Sequence, residues 1–232
     1  MTTPAPYFDD YSENYDAALA ESLAVTGEDK DFFARGRVSW VSKCLKDLQV
    51  RALNAMDFGC GIGSTTPHLL HILKADSVLG VDVSRRCLEL AEQKWGCPQI
   101  KFASLDEYQP SGKLDLVYTS GVFHHIPKDR RLQAFDLVLR ALRPGGLFAF
   151  WENNPLNPGT RYVMSQCEFD KDAMPLTPFL ARRLLKASGF EVVQTDYLFF
   201  FPRQLRWFRS LEPALSRIPF GGQYQVLCRK SV

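Results

Sequence analysis

Ala55-Met56-Asp57-Phe58-Gly59-Cys60-Gly61-Ile62-Gly63 is followed, nineteen positions after Gly63, by Asp82 in Val78-Leu79-Gly80-Val81-Asp82-Val83. An apolar run, then three glycines at alternate positions, then a helical pattern, describes a strand that turns sharply into a helix. Glycine lets the backbone take left-handed angles and lets a ligand reach the main chain with no Cβ in the way. The second apolar run ends in a carboxylate placed to accept hydrogen bonds from both hydroxyls of a ribose. A nucleoside ligand is the first expectation.

Spacing separates the nucleosides. A dinucleotide fingerprint needs glycine at its first, third and sixth positions. Counted from Gly59, the fifth position is Gly63 and the sixth is Ser64. Asp57, two residues before the first glycine, would repel a pyrophosphate and suits a ligand bearing an ammonium or sulfonium. The loop, Asp57 and Asp82 together resemble motif I of the class I S-adenosylmethionine-dependent methyltransferases. Residues 142–147, Leu-Arg-Pro-Gly-Gly-Leu, and the order of elements across about 50–200 are also similar to that family.

Alternating strand and helix patterns predict strands near 54–58, 77–83, 100–103, 114–119, 147–151, 190–197 and 224–229. Helices are expected near 65–73, 85–95 (with Ser84 as N-cap), 129–142 and 178–188. The helix at 129–142 should bury Leu132, Phe135, Leu139 and Leu142 and stop at the Pro144-Gly145-Gly146 breaker. The expected fold is α/β, with a Rossmann-like, mostly parallel seven-stranded sheet and helices on both faces. The resemblance adds that strand seven is antiparallel and lies beside strand six. Residues 1–50 read as an N-terminal helical lid and 51–232 as the methyltransferase domain, with an insertion at 199–222, in one domain overall.

The resemblance also assigns roles. The cofactor is S-adenosylmethionine, with S-adenosylhomocysteine (SAH) as product. Gly59, Cys60, Gly61 and Gly63 bring backbone groups to it, and Asp57 fixes its amino acid end directly or through turn amides. Asp82 holds the ribose or, in the plainer reading, caps a helix. Val83 lies against the adenine. Ser104, followed by Leu105, stands where the family offers an acid to the adenine amine; either Ser104 makes that contact or Asp106 replaces it. Ser120 opens Ser-Gly-Val-Phe-His-His, a segment that borders cofactor and acceptor. His125 is the candidate base for an acceptor hydroxyl, its imidazole titrating near ~6.5, or else a structural histidine. His124 reads as a lining or helix-start residue. Tyr15, among the aromatic and acidic residues of 1–16, closes over the cofactor or simply packs.

Composition narrows the partners. The chain has 232 residues, 46% hydrophobic, with a net charge of +2 that does not favour nucleic acid. Residues 1–33 carry eight acids and one Lys, whereas 176–232 carry nine Lys/Arg and three acids. No apolar run reaches the ~18 residues of a membrane span. The N-terminus is unlike a signal peptide, so a cytoplasmic location is expected. Six scattered cysteines, without a Cys-x-x-Cys pair or a Cys/His cluster, point to free thiols and no metal. The loop after strand five, Asn153 to Arg161, lacks the Pro-Pro-aromatic of nucleic-acid amino-methyltransferases.

The small-molecule branch of the superfamily is therefore favoured, with a small organic, sugar or lipid-linked acceptor and O-methylation. Arg161, Arg203 and Arg206 are candidates to hold a carboxylate or phosphate on it. Leu205, Phe208, Leu211 and Leu215 form a stripe that docks as a lid or, with nearby arginines, meets an anionic membrane. Two rivals stay open: a methyltransferase-like protein that binds the cofactor without turnover, and an oxidoreductase disfavoured by Ser64 and Asp57. Oligomeric state is not encoded in any of these features.

Overall fold

The structure, a computed structural model, describes residues 23–167 and 173–231. Tyr15 and the aromatic segment 1–16 lie outside the described residues. After a 3-10 turn at Ala24–Thr26, α1 (Lys30–Asp47) starts at Asp29, whose carboxylate accepts from Phe32 N at 2.8 Å. Then follow β1 (Asn54–Phe58), α2 (Thr66–Leu73), β2 (Ser77–Asp82), α3 (Arg85–Trp95), β3 (Ile100–Ser104) and β4 (Leu114–Ser120). The second half comprises α4 (Arg131–Ala141), β5 (Leu142–Asn153), α5 (Pro158–Gln166), α6 (Pro178–Ala187), β6 (Phe190–Leu198), a 3-10 segment (Arg203–Leu211), α7 (Glu212–Leu215) and β7 (Gln223–Lys230).

The seven strands lie in the order β3-β2-β1-β4-β5-β7-β6. The pairs among β1–β5 are parallel, and β7 runs antiparallel to both β5 and β6. This is the expected architecture. Strands β1, β4 and β5 are buried on both faces, and residues 147–151 of β5 read as a continuous apolar run. Alternation along β5 still divides the core. Phe148 and Phe150 meet Phe123 and Phe135 on one side, while Leu147, Ala149 and Trp151 meet Val38, Val41 and Leu69 on the other. Helix α1 thus packs into the second core layer through Val38 and Val41.

Four local readings change. The breaker at Pro144-Gly145-Gly146 does not stop the chain before β5. The strand runs through it, with Gly145 at φ +74° and a register shift between Leu114 and Leu116 on the partner strand. Glycine absorbs the irregularity that a β-bulge demands. In α4, Leu132 is exposed and Arg131 is buried instead, because its guanidinium donates to Ile126 O (3.0 Å) and Met174 O (2.7 Å). Helix α5 occupies the expected loop. Asn157 caps it by accepting from Thr160 N at 2.9 Å, and Pro158 sits in its first turn, so the Asn-Pro signal marks a helix start. Finally, the stripe at 205–215 does not dock as one face, for only Leu215 is half-buried. Arg203–Leu211 is 3-10, non-helical at Leu205, and it leaves Leu205, Phe208 and Leu211 exposed. Pro213 stands in the first turn of α7, where the expected break falls.

Among the described residues no helix is long and apolar enough to cross a membrane, and no group of His, Cys, Asp and Glu is arranged for a metal. All six cysteines are free thiols.

The stacked phenylalanine layer should dominate stability. Phe123 and Phe135 are stacked at 4.3 Å, and Phe150 meets Phe123 edge-on at 5.1 Å. Phe150→Ala should cost about 3–5 kcal/mol in urea unfolding. Phe179→Ala, on an exposed side chain, should stay within about 0.5 kcal/mol.

Candidate functional site

Strand order reverses between β1 and β4, since β2 and β3 lie to one side and β5 to the other. Ligands of open α/β sheets bind outside the carboxyl ends of strands at such a switch. A cavity of about 1180 Å³ opens there. Its floor is Phe58, Gly59, Gly61, Ile62, Asp82, Val83, Leu105 and Asp106, and its far wall is Ser120, Gly121, Val122, His124 and His125. Phe32, Phe33 and Arg37 of α1 close one side; Tyr162, Val163 and Met164 of α5 and Phe199–Pro202 close the other.

The glycine turn is stitched to β2. Gly59 N and Cys60 N both donate to Val81 O (2.8 and 3.0 Å), and Gly61 N donates to Asp82 Oδ2 at 2.8 Å. The three glycines differ in purpose. Gly61 has φ +53°, and a Cβ there would meet nothing within 4 Å, so its backbone faces open cavity. A Cβ on Gly59 would lie 2.4 Å from Val122 Cγ2, so that glycine permits close approach of the wall. Gly63 is buried outside the cavity against Phe102, Trp95 and Ala91, and it serves packing.

Several expected contacts are relocated. Asp57 lies beneath the floor, 3% exposed, and accepts from Thr66 Oγ1 at 2.8 Å. It can influence a ligand only through the turn. Burial pushes its carboxyl up to about 7, opposed by the Thr66 hydroxyl, raised further by Asp82 and lowered by Arg37. Cys60 also lies off the cavity, and burial raises its thiol well above the ordinary range. Ser104 is buried and does not line the cavity, whereas Leu105 and Asp106 do, which favours Asp106 for the adenine amine. Asp82 lines the cavity and accepts from Ser84 N at 2.9 Å, while Ser84 is itself the N-cap of α3, its Oγ accepting from Cys87 N.

Arg161, Arg203 and Arg206 do not line the cavity. Arg203 instead donates to Gly27 O. The arginines that do line it are Arg37, Arg130 and Arg209. Arg209 is engaged by Glu28 (2.9 Å), by Phe201 O (3.0 Å) and over the Phe32 ring. Arg37 donates to Tyr118 Oη and to Gln223 Oε1, both at 3.0 Å. Sequence reasoning missed Arg37 because it sits in a helix read as packing, and its partners lie 81 and 186 positions away. It also missed Glu152, whose Oε2 lies 2.5 Å from His124 Nδ1. His125 lines the same wall, its ring 4.1 Å from that of His124.

These residues fit an adenosyl group. The Asp82 carboxylate flanks the turn, the Gly61 cradle is open, and Val83 and Leu105 add apolar surface with Asp106 beside them. Comparison with known proteins agrees. Residues 55–146 match the family model described as a methyltransferase domain. The chain is 34% identical over 157 residues to trans-aconitate 2-methyltransferase of Rhizobium leguminosarum bv. trifolii, which covers 62% of this chain and 60% of that protein. The chain thus spans about 60% of the length of this curated relative. A Deinococcus radiodurans protein of the same name is 34% identical over 94 residues, 40% of this chain and 35% of its own. An S-adenosylmethionine-dependent methyltransferase structure from Mesorhizobium loti superposes with TM-score 0.58 at 24% identity, covering 78% of this chain and 92% of that one. DhpI, solved as its SAH complex, superposes with TM-score 0.63 at 18% identity over 98% and 95% of the two chains.

Asp57 makes stability pH-dependent in a defined direction. Its folded carboxyl binds its proton up to about 7, against an ordinary value of 3.8. Between those values the folded state holds more protons than the unfolded one, so this contribution is full below the lower value and is lost as pH rises through the upper. Urea unfolding of the ligand-free protein should therefore show Asp57→Asn gaining on the wild type from about pH 4 to about pH 7. A difference that stays flat with pH would contradict the buried protonated carboxyl.

Proposed function

We propose that this chain is a class I S-adenosylmethionine-dependent methyltransferase that transfers the methyl group of that cofactor to a small organic acid. The observation that carries the reading is the Gly61–Asp82 turn opening onto a large cavity at the strand-order switch. The cavity extends from the Gly61–Asp82 turn to Phe199–Pro202 and α5. S-adenosylmethionine supplies, when bound, a methyl carbon already activated by its sulfonium.

The chain's own residues then have four tasks. The Gly59 and Gly61 backbone and the Asp82 carboxylate hold the nucleoside, with Val83 and Leu105 against the base and Asp106 toward its amine. Arg37, fixed by Tyr118 and Gln223, presents a positive charge on the inner wall for a carboxylate. Ser120 and the paired imidazoles border the acceptor, and sequence favours His125 as the base where the acceptor carries a hydroxyl. Phe32 and Phe33 of α1, with Phe199 and Phe201, form an apolar cover that excludes water. Positioning of this kind is worth on the order of 7–11 kcal/mol in favourable intramolecular reactions. The names of the relatives supply the substrate class, a small acid, and the sugar or lipid-linked acceptors are the less supported members of that range. A cytoplasmic location accompanies this reading.

Calorimetry should show binding of SAH and S-adenosylmethionine and none of NAD. Asp82→Ala should weaken SAH at least tenfold, about 1.4 kcal/mol. It should also cost about 1 kcal/mol of stability through the lost Gly61 and Ser84 bonds. Labelled methyl transfer to a panel of small organic acids tests turnover. Binding of SAH with no transfer to any acid would overturn the small-acid acceptor, and binding of NAD alone would overturn the methyltransferase reading.

A further inference from the structure

Glu152 is a charged residue at the end of a strand otherwise built from large apolar side chains. Its side chain is 1% exposed and that of His124 is 3% exposed. It lies on the face of β5 that carries Phe148 and Phe150, directly beneath Phe123. A carboxylate taken so far out of water persists only when hydrogen-bonded on both oxygens. One oxygen accepts from Phe123 N (2.8 Å) and His124 N (3.3 Å), and the other meets His124 Nδ1 at 2.5 Å. The surroundings lock this arrangement. Arg131 lies close enough to interact electrostatically with Glu152 and clamps Ile126 O and Met174 O, and Met174 N donates back to His124 O.

The consequence is chemical. An imidazole has one proton when neutral, and an acceptor carboxylate at Nδ1 places that proton on Nδ1. Nε2 is then the basic nitrogen, and the same carboxylate stabilises the imidazolium that forms when Nε2 takes a proton. His124 lines the cavity, whereas Glu152 does not. A base of this design has no use for an ionised carboxylate oxygen, which attacks without losing a proton.

We propose that His124, held by Glu152, is the base of this site, and that the atom methylated is a hydroxyl oxygen of an acidic acceptor rather than its carboxylate. This rests on the methyltransferase reading above. In the step, the acceptor O–H bond breaks and its proton passes to His124 Nε2. The oxygen pair forms the bond to the methyl carbon as the carbon–sulfur bond breaks, and that electron pair stays on sulfur, which becomes a neutral thioether. His124 is the catalytic residue and Glu152 the positioning residue.

Two measurements test this. The first uses SAH-saturated protein with ¹⁵N-labelled histidine, the His124 signals being identified by their loss in His124→Ala. Near neutral pH, His124 should be protonated at Nδ1 and unprotonated at Nε2, and Glu152→Gln should erode that tautomer. A proton found on Nε2 in the neutral ring overturns the proposal. The second measures labelled methyl transfer to trans-aconitate, which offers only carboxylates, and to citrate and 4-hydroxybenzoate, which add a hydroxyl. Transfer should require the hydroxyl. His124→Ala should lower kcat about a hundredfold and Glu152→Gln about tenfold, with SAH affinity within twofold of the wild type and a larger kcat loss for His124→Ala than for His125→Ala. Transfer to trans-aconitate that survives His124→Ala, or the reverse order of the two histidines, overturns the assignment. If SAH binds but every acid is inert, the acceptor reading fails, and the tautomer still decides whether His124 is set as a base.

Discussion

The chain leaving β1 must turn into a helix without filling the crevice that the change of strand order creates, and everything at the site depends on how that turn is held. Three main-chain donors answer the constraint. Gly59 N and Cys60 N share Val81 O, and Gly61 N takes the Asp82 carboxylate. The turn is therefore anchored to the neighbouring strand and not to any residue that would occupy the cavity. Asp82 in turn accepts from Ser84 N, so one carboxylate fixes the glycine turn and the entry to α3 together. A ligand arriving at Gly61 finds a backbone already ordered, which spares the entropy of ordering it on binding.

A second layer of organisation comes from ionisable groups kept away from water. Asp57 under the turn, Glu152 at the end of β5 and Arg131 at the start of α4 are each nearly inaccessible. They are satisfied differently. Asp57 has the Thr66 hydroxyl and a carboxyl shifted toward neutrality. Glu152 has two backbone amides and an imidazole, and Arg131 has two carbonyls. All three brace segments that wall the cavity, where a purely apolar filling would leave the turns free to shift. Binding geometry and fold stability are here the same hydrogen bonds seen from two sides.

The cover is assembled from separate stretches of chain. Phe32 and Phe33 of α1 pack edge-on against Phe199, and Arg209 ties the 3-10 segment to Glu28 while lying over Phe32. These contacts join residues near the start of the chain to residues near its end. They leave Trp207 and Phe220 on the outside, although both belong to the same insertion.

Local chemistry determined the strands, the glycine turn and the N-cap at Ser84 from the sequence alone, because alternation, backbone freedom and capping act over a few residues. The continuous apolar run of 147–151 announced a strand buried on both faces. The same local reasoning misplaced α5, because an Asn-Pro pair is common to loops and helix starts. It also misjudged the 203–211 stripe, because a 3-10 period of three residues rotates side chains away from a 3.6-residue face. What only the tertiary structure decided is which polar residues meet. Arg37 reaches Tyr118 and Gln223, Glu152 reaches His124, and Asp106 rather than Ser104 faces the cavity. Those partners are 28 to 186 positions apart, and no pattern along the chain records a distance closed by the sheet. The type of ligand could be read from adjacent residues, whereas the chemistry of the acceptor end rests on side chains brought together by folding.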